Sequence, residues 1–594
     1  MAVIVMETIM TAEPAAAGPN RLLLRATGRA RGWTALVAAA ALADAAAAVL
    51  LPLALARAID AVPPGGSPAT AALWPCAALV AVSAAAEVLA ELAAGSATAR
   101  ATAWLRHTLV RHLLAVGPAL RIPPGDVAGR AVGGAAEAGV APAAAPEAAA
   151  GLLPAAGALA ALCLIDWRIA AAIAVALPAV ALLMRAFVRD ITASATRYLN
   201  VQGTIAGRLA EALGGARTIA AAGTADRETA RILEPLPGLR AEGETMWRVQ
   251  GGVAARGLLA LLLLQVAAVG VAGAELAAGR VTPGELVATV QYAGLAAGFG
   301  PVLTQVLRLG RARAGARRAA EILALPVPSH GPDAAPPGPG RLEFRGVTAL
   351  GVLDGLDLTV PGGRAVAVVG RSGSGTSELA ALAGRLADPD EGEVLLDGTP
   401  LPRLTRTALR REIGYAFARP ALFGATVRDA LAFGPARPPE ARLVESARAA
   451  RADAFIRRLP GGYDTPLRQA PMSGGELQRA GLARAFAHAG RVLVLDDATS
   501  SLDTVTEVEI TDAVLTRFAD RTRLIIAHRA STAARTDLVA WLENGRLRAL
   551  APHAALWNDP AYRAVFTAPE ARTTASGPDR RASDGGVPDG REAG

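Results

Sequence analysis

The sequence predicts two domains of different classes: an α-helical polytopic domain that spans a membrane several times, followed by a soluble α/β domain. Long runs of Ala, Leu, Val and Gly fill the first half of the 594-residue chain, whereas short apolar strands alternate with charged and Gly-rich turns in the second half. The stretch between the halves is rich in Pro and Gly, which oppose both helix and sheet, so it is predicted to be a linker. The predicted organisation is an N-terminal segment over 1–20, a transmembrane domain over 21–325, a Pro-rich linker over 326–340, the α/β domain over 341–567 and a polar, disordered tail over 568–594.

The charge pattern favours membrane topology over nucleic-acid binding. The formal net charge is +8, and all 60 basic residues are Arg. These arginines flank the apolar runs and do not form a basic arm interleaved with aromatic residues. Cys76 and Cys163 both lie within apolar runs, so the sequence offers neither a disulfide framework nor a cysteine metal cluster.

Six apolar segments are long enough to cross a bilayer, and they lie at 33–55, 72–94, 140–165, 169–188, 253–276 and 281–307. An even number of spans places both ends of the domain on the same side. Arginines precede the first span and follow the second, fourth and sixth, whereas the connections at 60–70, 166–168 and 277–280 are short and poor in Arg. The chain is therefore predicted to lie in the cytoplasmic membrane, in contact with lipid and with both termini cytoplasmic. The inside segments at 96–139 and 189–252 are predicted to be helices that continue well beyond the bilayer.

Several polar residues lie within the predicted spans: Asp44, Glu87, Glu91, Gln265 and Glu275. Carboxylates are costly inside a membrane and usually face a cavity or a partner, which makes these residues candidates for a transport pathway. The alternative is that they lie near span ends or make structural contacts between helices. Both interpretations stay open at this point.

The stretch GRSGSGTS at 370–377 has the form of a phosphate-binding loop with one residue changed. The general form is G-x-x-x-x-G-K-S/T, and Thr376 occupies the lysine position while the glycines and Ser377 fit. The apolar strand AVAVVG leads into the loop, and a helix over 378–386 is predicted to follow, which is the setting in which backbone N–H groups point at a phosphate. The predicted phosphate-binding residues are Gly370, Arg371, Ser372, Gly373, Ser374, Gly375, Thr376 and Ser377.

Four further short motifs follow the loop. RVLVLDD at 491–497 predicts a buried strand that ends in two acids, of which Asp496, together with Ser377, is predicted to hold Mg²⁺. The other three are MSGGE at 472–476, SSLD at 500–503 and IIAHR, which contains His528.

In this order and spacing the motifs resemble those of the ATP-binding cassette (ABC) exporters, specifically half-transporters in which six membrane helices are fused to one cassette of the P-loop NTPase fold. The resemblance extends from about Arg21 to Phe566. It implies an ATP-hydrolysing translocase in which two cassettes meet head to tail. Each ATP, with its Mg²⁺, then lies between the Walker A loop of one cassette and the signature of the other.

The resemblance also implies roles for single residues. The signature comprises Ser473, Gly474, Gly475 and Glu476, in which the serine hydroxyl is expected to contact the γ-phosphate while the glycines let the backbone approach it. Asp503 belongs to the D-loop and is expected to be part of the ATP site. His528 is the switch histidine, and Asp497 stands at the position of the catalytic base. Short coupling helices are expected near 121–130 and 211–219.

Departures from the family pattern fall mainly on the Walker side of the cassette. Thr376 removes the lysine, Ala418 occupies the position of the Q-loop glutamine, and Asp497 replaces a glutamate. The aromatic residue that usually stacks on adenine is absent from GVTALGVLDG at 346–355. The signature side keeps its serine and glycines and differs by Glu476 in place of Gln and by a shorter preceding segment, TPLRQAP.

This asymmetry predicts a heterodimeric exporter. A second ABC half-transporter with an intact Walker A loop would supply the catalytic half of one site, and the signature of this chain would complete it. A homodimeric exporter with slow ATPase activity, or a non-hydrolytic membrane protein regulated by nucleotide, are the alternatives. The motifs leave the exported substrate open.

Overall fold

The computed structural model describes residues 18–62, 70–120, 122, 124–298 and 300–567. The chain divides into two compact units: Met1–Ala115 with Ile122–Pro326, called the helical unit below, and Val116–Arg121 with Val327–Gly594, called the cassette unit. The predicted tail over 568–594, residues 1–17 of the predicted N-terminal segment and most of the predicted 60–70 connection lie outside the described residues.

Within the described residues the helical unit is built mainly from α-helices, as its Ala- and Leu-rich sequence predicts. In chain order they are α1 (Pro19–Arg29), α2 (Arg31–Asp60), α3 (Trp74–Val116), α4 (Pro124–Gly129), α5 (Ala135–Ala138), α6 (Ala141–Ala150), α7 (Leu153–Ile165), α8 (Trp167–Gly214), α9 (Ala216–Ala222), α10 (Ala225–Leu233), α11 (Leu236–Ala277), α12 (Pro283–Ala296) and α13 (Gly300–Leu323).

Four helical segments within the described residues are long and apolar enough to cross a membrane: Arg31–Asp60, Ala71–Val116, Gly125–Ile165 and Leu258–Ala277. They correspond to the first, second, third and fifth predicted spans. The fourth predicted span, 169–188, lies within α8, where the side chains of 176–196 are outside the described residues. Helices α3, α8 and α11 extend well past the apolar stretches, as predicted for the inside segments.

The sixth predicted span, 281–307, is wrong as a single helix. Helix α12 ends at Ala296 and α13 begins at Gly300. Gly298, Gly300 and Pro301 lie at this junction, and Pro301 has no N–H to donate to the carbonyl of Ala297, which a continuous helix would require. The local sequence therefore divides an apolar run that hydropathy alone joins.

Polar groups within the helical unit make contacts between helices. Ser83 Oγ on α3 donates to Asp44 Oδ1 on α2 over 2.5 Å. Glu275 is buried at the end of α11 and pairs with Arg280 and, over 3.3 Å, with Arg168. These contacts favour the structural interpretation for both acids, whereas Glu87 and Glu91 are exposed on α3.

The cassette unit alternates strands and helices. Its strands are β1 (Leu342–Ala349), β2 (Leu353–Val360), β3 (Ala365–Gly370), β4 (Glu391–Leu396), β5 (Thr399–Pro400), β6 (Ile413–Phe417), β7 (Val492–Asp496), β8 (Thr522–Ile526), β9 (Leu538–Glu543) and β10 (Arg546–Ala551). Its helices are α14 (Thr376–Ala383), α15 (Arg406–Glu412), α16 (Val427–Leu431), α17 (Glu440–Ala449), α18 (Asp453–Arg458), α19 (Gly474–His488), α20 (Thr504–Arg517), α21 (Ala530–Ala533), α22 (His553–Leu556) and α23 (Pro560–Phe566).

Two sheets form the core of the cassette unit. One is an antiparallel sheet in the order β2-β1-β4-β5, and the other has the order β10-β9-β3-β8-β7-β6. In the second sheet, β9, β3, β8, β7 and β6 run parallel. Strand β3 is buried at every position, as expected for a central parallel strand. The carboxyl ends of β3 and β7 carry the phosphate loop and Asp496, which is where parallel sheets place ligands.

The predicted linker over 326–340 contains neither helix nor strand, but part of it is bonded to the cassette. The Asp333 backbone N–H donates to Arg403 O over 3.0 Å, and Asp333 O accepts from Thr405 N over 2.8 Å. Gly331 N donates to Pro402 O over 2.8 Å. The segment is thus held against the β5–α15 connection.

Candidate functional site

The phosphate loop connects β3 to α14 through a glycine-dependent turn. Gly373 and Gly375 have φ values of 84° and 98°, a region in which side chains are strained. A Cβ on Gly370 would lie 2.2 Å from Ser374 Oγ, and one on Gly375 would lie 2.4 Å from the Leu353 side chain. The loop therefore requires glycine at these positions. Gly370 and Gly375 are the two glycines of the predicted motif.

Helix α14 begins at Thr376 and ends at Ala383, not over the predicted 378–386. The earlier start is explained by Gly375, which turns the chain directly into the helix. The early end coincides with Gly384 and with Arg385 at a φ of 55°. No side chain caps the N-terminus of α14, so the N–H groups of its first turn are available to an anion.

The side chain at the lysine position of the loop carries no charge. Thr376 is half-buried at the lysine position, and Arg371 and Ser372 are exposed. The Ser374 hydroxyl is buried and has no hydrogen-bond partner among the described residues, so it is free to bond a bound group. The cradle therefore fits a phosphate chiefly through backbone donors.

The predicted Mg²⁺ residues lie together at the ends of neighbouring elements. Ser377 Oγ, in the first turn of α14, donates to Asp496 Oδ1 at the end of β7 over 3.2 Å. Burial raises the pKa of the Asp496 carboxyl, the Ser377 hydrogen bond lowers it, and the nearby Asp497 carboxylate raises it further. A hydroxyl and a carboxylate are hard oxygen ligands of the kind Mg²⁺ prefers, so the pair fits the ion.

The two predicted catalytic residues also lie close together. His528 Nε2 is 3.8 Å from Asp497 Oδ1, and the histidine is exposed. Asp497 has a φ of 51°, and its carbonyl oxygen accepts from Ser500 Oγ over 3.0 Å. The structure thus brings Ser377, Asp496, Asp497 and His528 to one edge of the sheet.

The signature forms the N-terminus of α19. Ser473 caps this helix, accepting from Glu476 N over 3.3 Å, while Glu476 Oε2 accepts from the Ser473 N–H and hydroxyl, each over 2.9 Å. The hydrogen bond from the Ser473 backbone N–H, together with the one from its hydroxyl, holds the pKa of Glu476 below its usual value. The glutamate that replaces the family's glutamine therefore completes a capping box. Gly474 has open space where a Cβ would stand.

The D-loop leads into α20. Asp503 caps this helix by accepting from Thr506 N over 2.9 Å, and the Thr506 backbone holds its pKa below the usual value. The predicted D-loop residue is thus a helix cap, and it is exposed.

Two residues that the sequence interpretation missed connect these loops. Gln478 on α19 is buried and bonds Ala418, Asp497, Ser500 and Ser501. Glu507 on α20 is buried and pairs with Arg529, the neighbour of His528. Neither residue stands between two apolar neighbours in the sequence, so no local pattern points to them.

A separate cavity of about 550 Å³ lies between α15, β6 and α19 and contains none of the predicted site residues. Its walls combine aromatic and basic side chains: Tyr415, Phe417, Phe433, Arg406, Arg410, Arg484 and His488. Burial lowers the pKa of both Arg484 and His488.

Fold and motifs together define an ATP-binding cassette exporter, and comparison with known proteins agrees. The profile of the ABC transporter family matches residues 353–500, and that of the ABC transporter transmembrane region matches 148–298. The chain belongs to the ABC transporter family, and the predicted fold class, a helical membrane domain followed by an α/β cassette, is confirmed.

Individual relatives cover most of the chain. The chain is 48% identical over 556 residues to the ABC transporter ATP-binding protein RamA of Streptomyces coelicolor, covering 92% of this chain and 86% of that one. It is 34% identical over 383 residues to the ATP-dependent lipid A-core flippase of Chromohalobacter salexigens, covering 62% and 66%. A solved bacterial Atm1-family ABC exporter with ATP bound superimposes with a TM-score of 0.74 at 26% identity, covering 92% of this chain and 98% of that one.

Proposed function

We propose that the chain is one half of a heterodimeric ABC exporter in the cytoplasmic membrane, with both termini cytoplasmic. It keeps a weak ATP site of its own and completes the hydrolytic site of a partner half-transporter with its signature. The partner provides the intact Walker lysine and the catalytic glutamate. The main support is a contrast between two parts of the cassette. The signature helix has a fully formed cap, whereas the phosphate loop lacks the lysine of the Walker A motif.

The loss of the lysine weakens nucleotide binding without removing the cradle. A charge-assisted hydrogen bond is worth roughly 1.5–3 kcal/mol, which corresponds to about a tenfold to hundredfold loss in affinity. The backbone donors of the loop, Ser377 and Asp496 remain in place for the phosphates and Mg²⁺. The site therefore still accommodates Mg-ATP, but with lower affinity.

Asp497 is a poor substitute for the catalytic glutamate. Its carboxylate is withdrawn by one C–C bond, about 1.5 Å, and a misplacement of this size costs on the order of a hundredfold in rate. The nearby His528 supports a bound γ-phosphate but does not restore that distance. Hydrolysis by this chain's own half-site is accordingly slow.

The signature contributes to the partner's site by stabilising the γ-phosphate. The Ser473 hydroxyl, which donates to Glu476 in the structure, turns to donate to the phosphate, and the α19 N-terminus faces the same anion. ATP then joins the two cassettes, and their separation follows hydrolysis. The expected coupling segments near 121–130 and 211–219 include the short helices α4 and α9.

Measurement of ATPase activity in proteoliposomes tests the proposal. The chain reconstituted alone is expected to be nearly inactive, and the complex with the half-transporter that co-purifies with it is expected to be active. Gly475→Asp should abolish turnover of the complex, because a carboxylate then faces the γ-phosphate. Asp497→Asn should change turnover little, since it affects the other site.

The outcomes separate the alternatives. High activity of the chain alone would favour a homodimeric exporter and contradict the heterodimer. Unchanged turnover in Gly475→Asp would contradict any role of this signature in hydrolysis and favour nucleotide-regulated assembly.

A further inference from the structure

Gln478 lies where the loops of the two half-sites meet. It follows the signature on α19 and is only 1% exposed. The proposed function gives Gln478 no role in contacting ATP or in catalysis. A buried amide is costly unless its donors and acceptor are paired, so its hydrogen bonds identify what it does.

The carboxamide bonds two separate segments, the loop at Ala418 and the turn from Asp497 to Ser501. Gln478 Oε1 accepts from Ser501 N over 3.0 Å, and because a backbone N–H can only donate, this contact fixes the orientation of the amide. Nε2 then points at Ala418 O over 3.2 Å and Asp497 O over 3.4 Å. Ser500 Oγ, 3.3 Å away, is a third neighbour.

One of these contacts supports an unusual backbone. Asp497 lies in the left-handed region at a φ of 51°, which is sparsely populated by residues other than glycine. Its carbonyl oxygen accepts from the backbone N–H and the hydroxyl of Ser500, over 3.3 and 3.0 Å, as well as from Gln478. The direction of the Asp497 side chain therefore depends on a turn that Gln478 helps to hold.

The signature end of the same helix also rests on the D-loop. A Cβ on Gly475 would stand 3.4 Å from Ser501 O, so the first turn of α19 packs against this backbone. Helix α19 runs without interruption from Gly474 to His488, and Ser473, Glu476 and Gln478 move with it.

We propose that Gln478 is a positioning residue that keeps the D-loop and the Asp497 backbone in register with the signature helix. The half-site that this chain keeps and the half-site that it presents to its partner then move as one body. An apolar residue of similar size would fill the space but leave the Ser501 N–H without its acceptor. The inference rests on the proposed function, in which the signature serves the partner's hydrolytic site.

The first test compares Gln478→Leu with a matched control, Thr536→Val, in the full-length complex in proteoliposomes. Thr536 is also buried, and its hydroxyl bonds only the carbonyls of Ala533 and Leu538 among the described residues. Gln478→Leu should lower kcat by at least about tenfold while the KM for ATP stays within about threefold, because misplacing a group affects the reaction more than binding. Equal loss of kcat in the two variants would overturn the proposal.

A double-mutant cycle with Asp503→Ala makes the test independent of general destabilisation. If Gln478 acts through the D-loop, the double variant should turn over within about threefold of the slower single variant. If the losses of kcat in the two single variants multiply in the double variant, the two residues act independently and the proposal is overturned. Gln478→Glu, which keeps the volume and the acceptor but loses both donors, serves if the leucine variant does not fold and should show the same kcat loss.

Gly475→Asp is measured in the same preparations. If it leaves turnover intact, the proposed function itself fails. If it abolishes turnover while Gln478→Leu and Gln478→Glu behave as wild type, only the role of Gln478 is wrong.

Discussion

The cassette contains two helix N-termini with predicted phosphate contacts, and they are built in opposite ways. Helix α14 starts after Gly375 without any side-chain cap. Helix α19 starts after Ser473, whose side chain forms a capping box with Glu476. The first end leaves its backbone donors open, whereas the second satisfies part of its own hydrogen-bonding capacity before any ligand arrives.

The two helix ends differ in what opposes the binding of a phosphate. At α14 the backbone donors need no rearrangement, but the loop has lost the lysine charge that would complete the contact. At α19 the Ser473 hydroxyl must leave Glu476 to reach a phosphate, yet this end keeps the serine and both glycines of the family's signature. The half-site that we propose to be weak is therefore preformed, whereas the half-site that we propose to serve the partner must first be opened.

The largest expected effect comes from separating the two functions of Ser473. Ser473→Gly and Ser473→Ala both remove the hydroxyl donor, so each should lower turnover of the complex on the order of a hundredfold. Glycine is a good N-cap and alanine is not, so only alanine should lose about 1 kcal/mol of stability. This corresponds to a fall of about 2–4 °C in the unfolding temperature of a domain of this size.

Ser473→Thr is the control, because it keeps both the cap and the donor. The two readouts are ATPase activity in proteoliposomes and thermal unfolding of the same samples. If glycine at position 473 supported normal turnover, the hydroxyl would have no role at the γ-phosphate, and the comparison between the two helix ends would lose its functional meaning.

The next largest expected effect concerns the uncapped N-terminus of α14. Thr376→Lys restores the missing cation and should raise the affinity of the full-length chain for Mg-ATP by about tenfold to hundredfold. Thr376→Ala adds no charge and should bind as the wild type does. Equilibrium binding to the purified chain in nanodiscs measures both. Equal affinities of the lysine and alanine variants would show that this loop is weak for a reason other than its charge.

The parts of the cassette that could be predicted are those in which sequence neighbours remain structural neighbours. Strands β3 and β7 appear as continuous apolar runs because both of their faces are buried, and the phosphate loop follows β3 directly. The capping box of Ser473 and Glu476 is likewise local, three residues apart. Composition and spacing are sufficient for such features.

The features that escaped prediction depend on distant segments or on local breaks. The partners of Gln478 come from two loops, one of which is 60 residues away in sequence, so no local pattern predicts them. The break between α12 and α13 was missed because a hydropathy window averages over Gly298 and Pro301. Backbone geometry, not apolarity, decides that junction.

The smallest expected effect concerns the negative charge at the capped N-terminus of α19. Glu476 is held ionised by hydrogen bonds from Ser473, so its pKa in the folded protein lies below its usual value of 4.5. A lowered folded-state pKa means that this contribution to stability is complete above pH 4.5 and is lost as the pH falls through the folded-state value. Glu476→Gln keeps the acceptor without the charge, and at neutral pH it should cost about 0.3–1 kcal/mol through the helix dipole. The difference in unfolding temperature between wild type and variant should therefore shrink as the pH is lowered below 4.5. Thermal unfolding across this range checks the expectation, and a difference that stays constant with pH would mean that the Glu476 charge does not stabilise the signature helix.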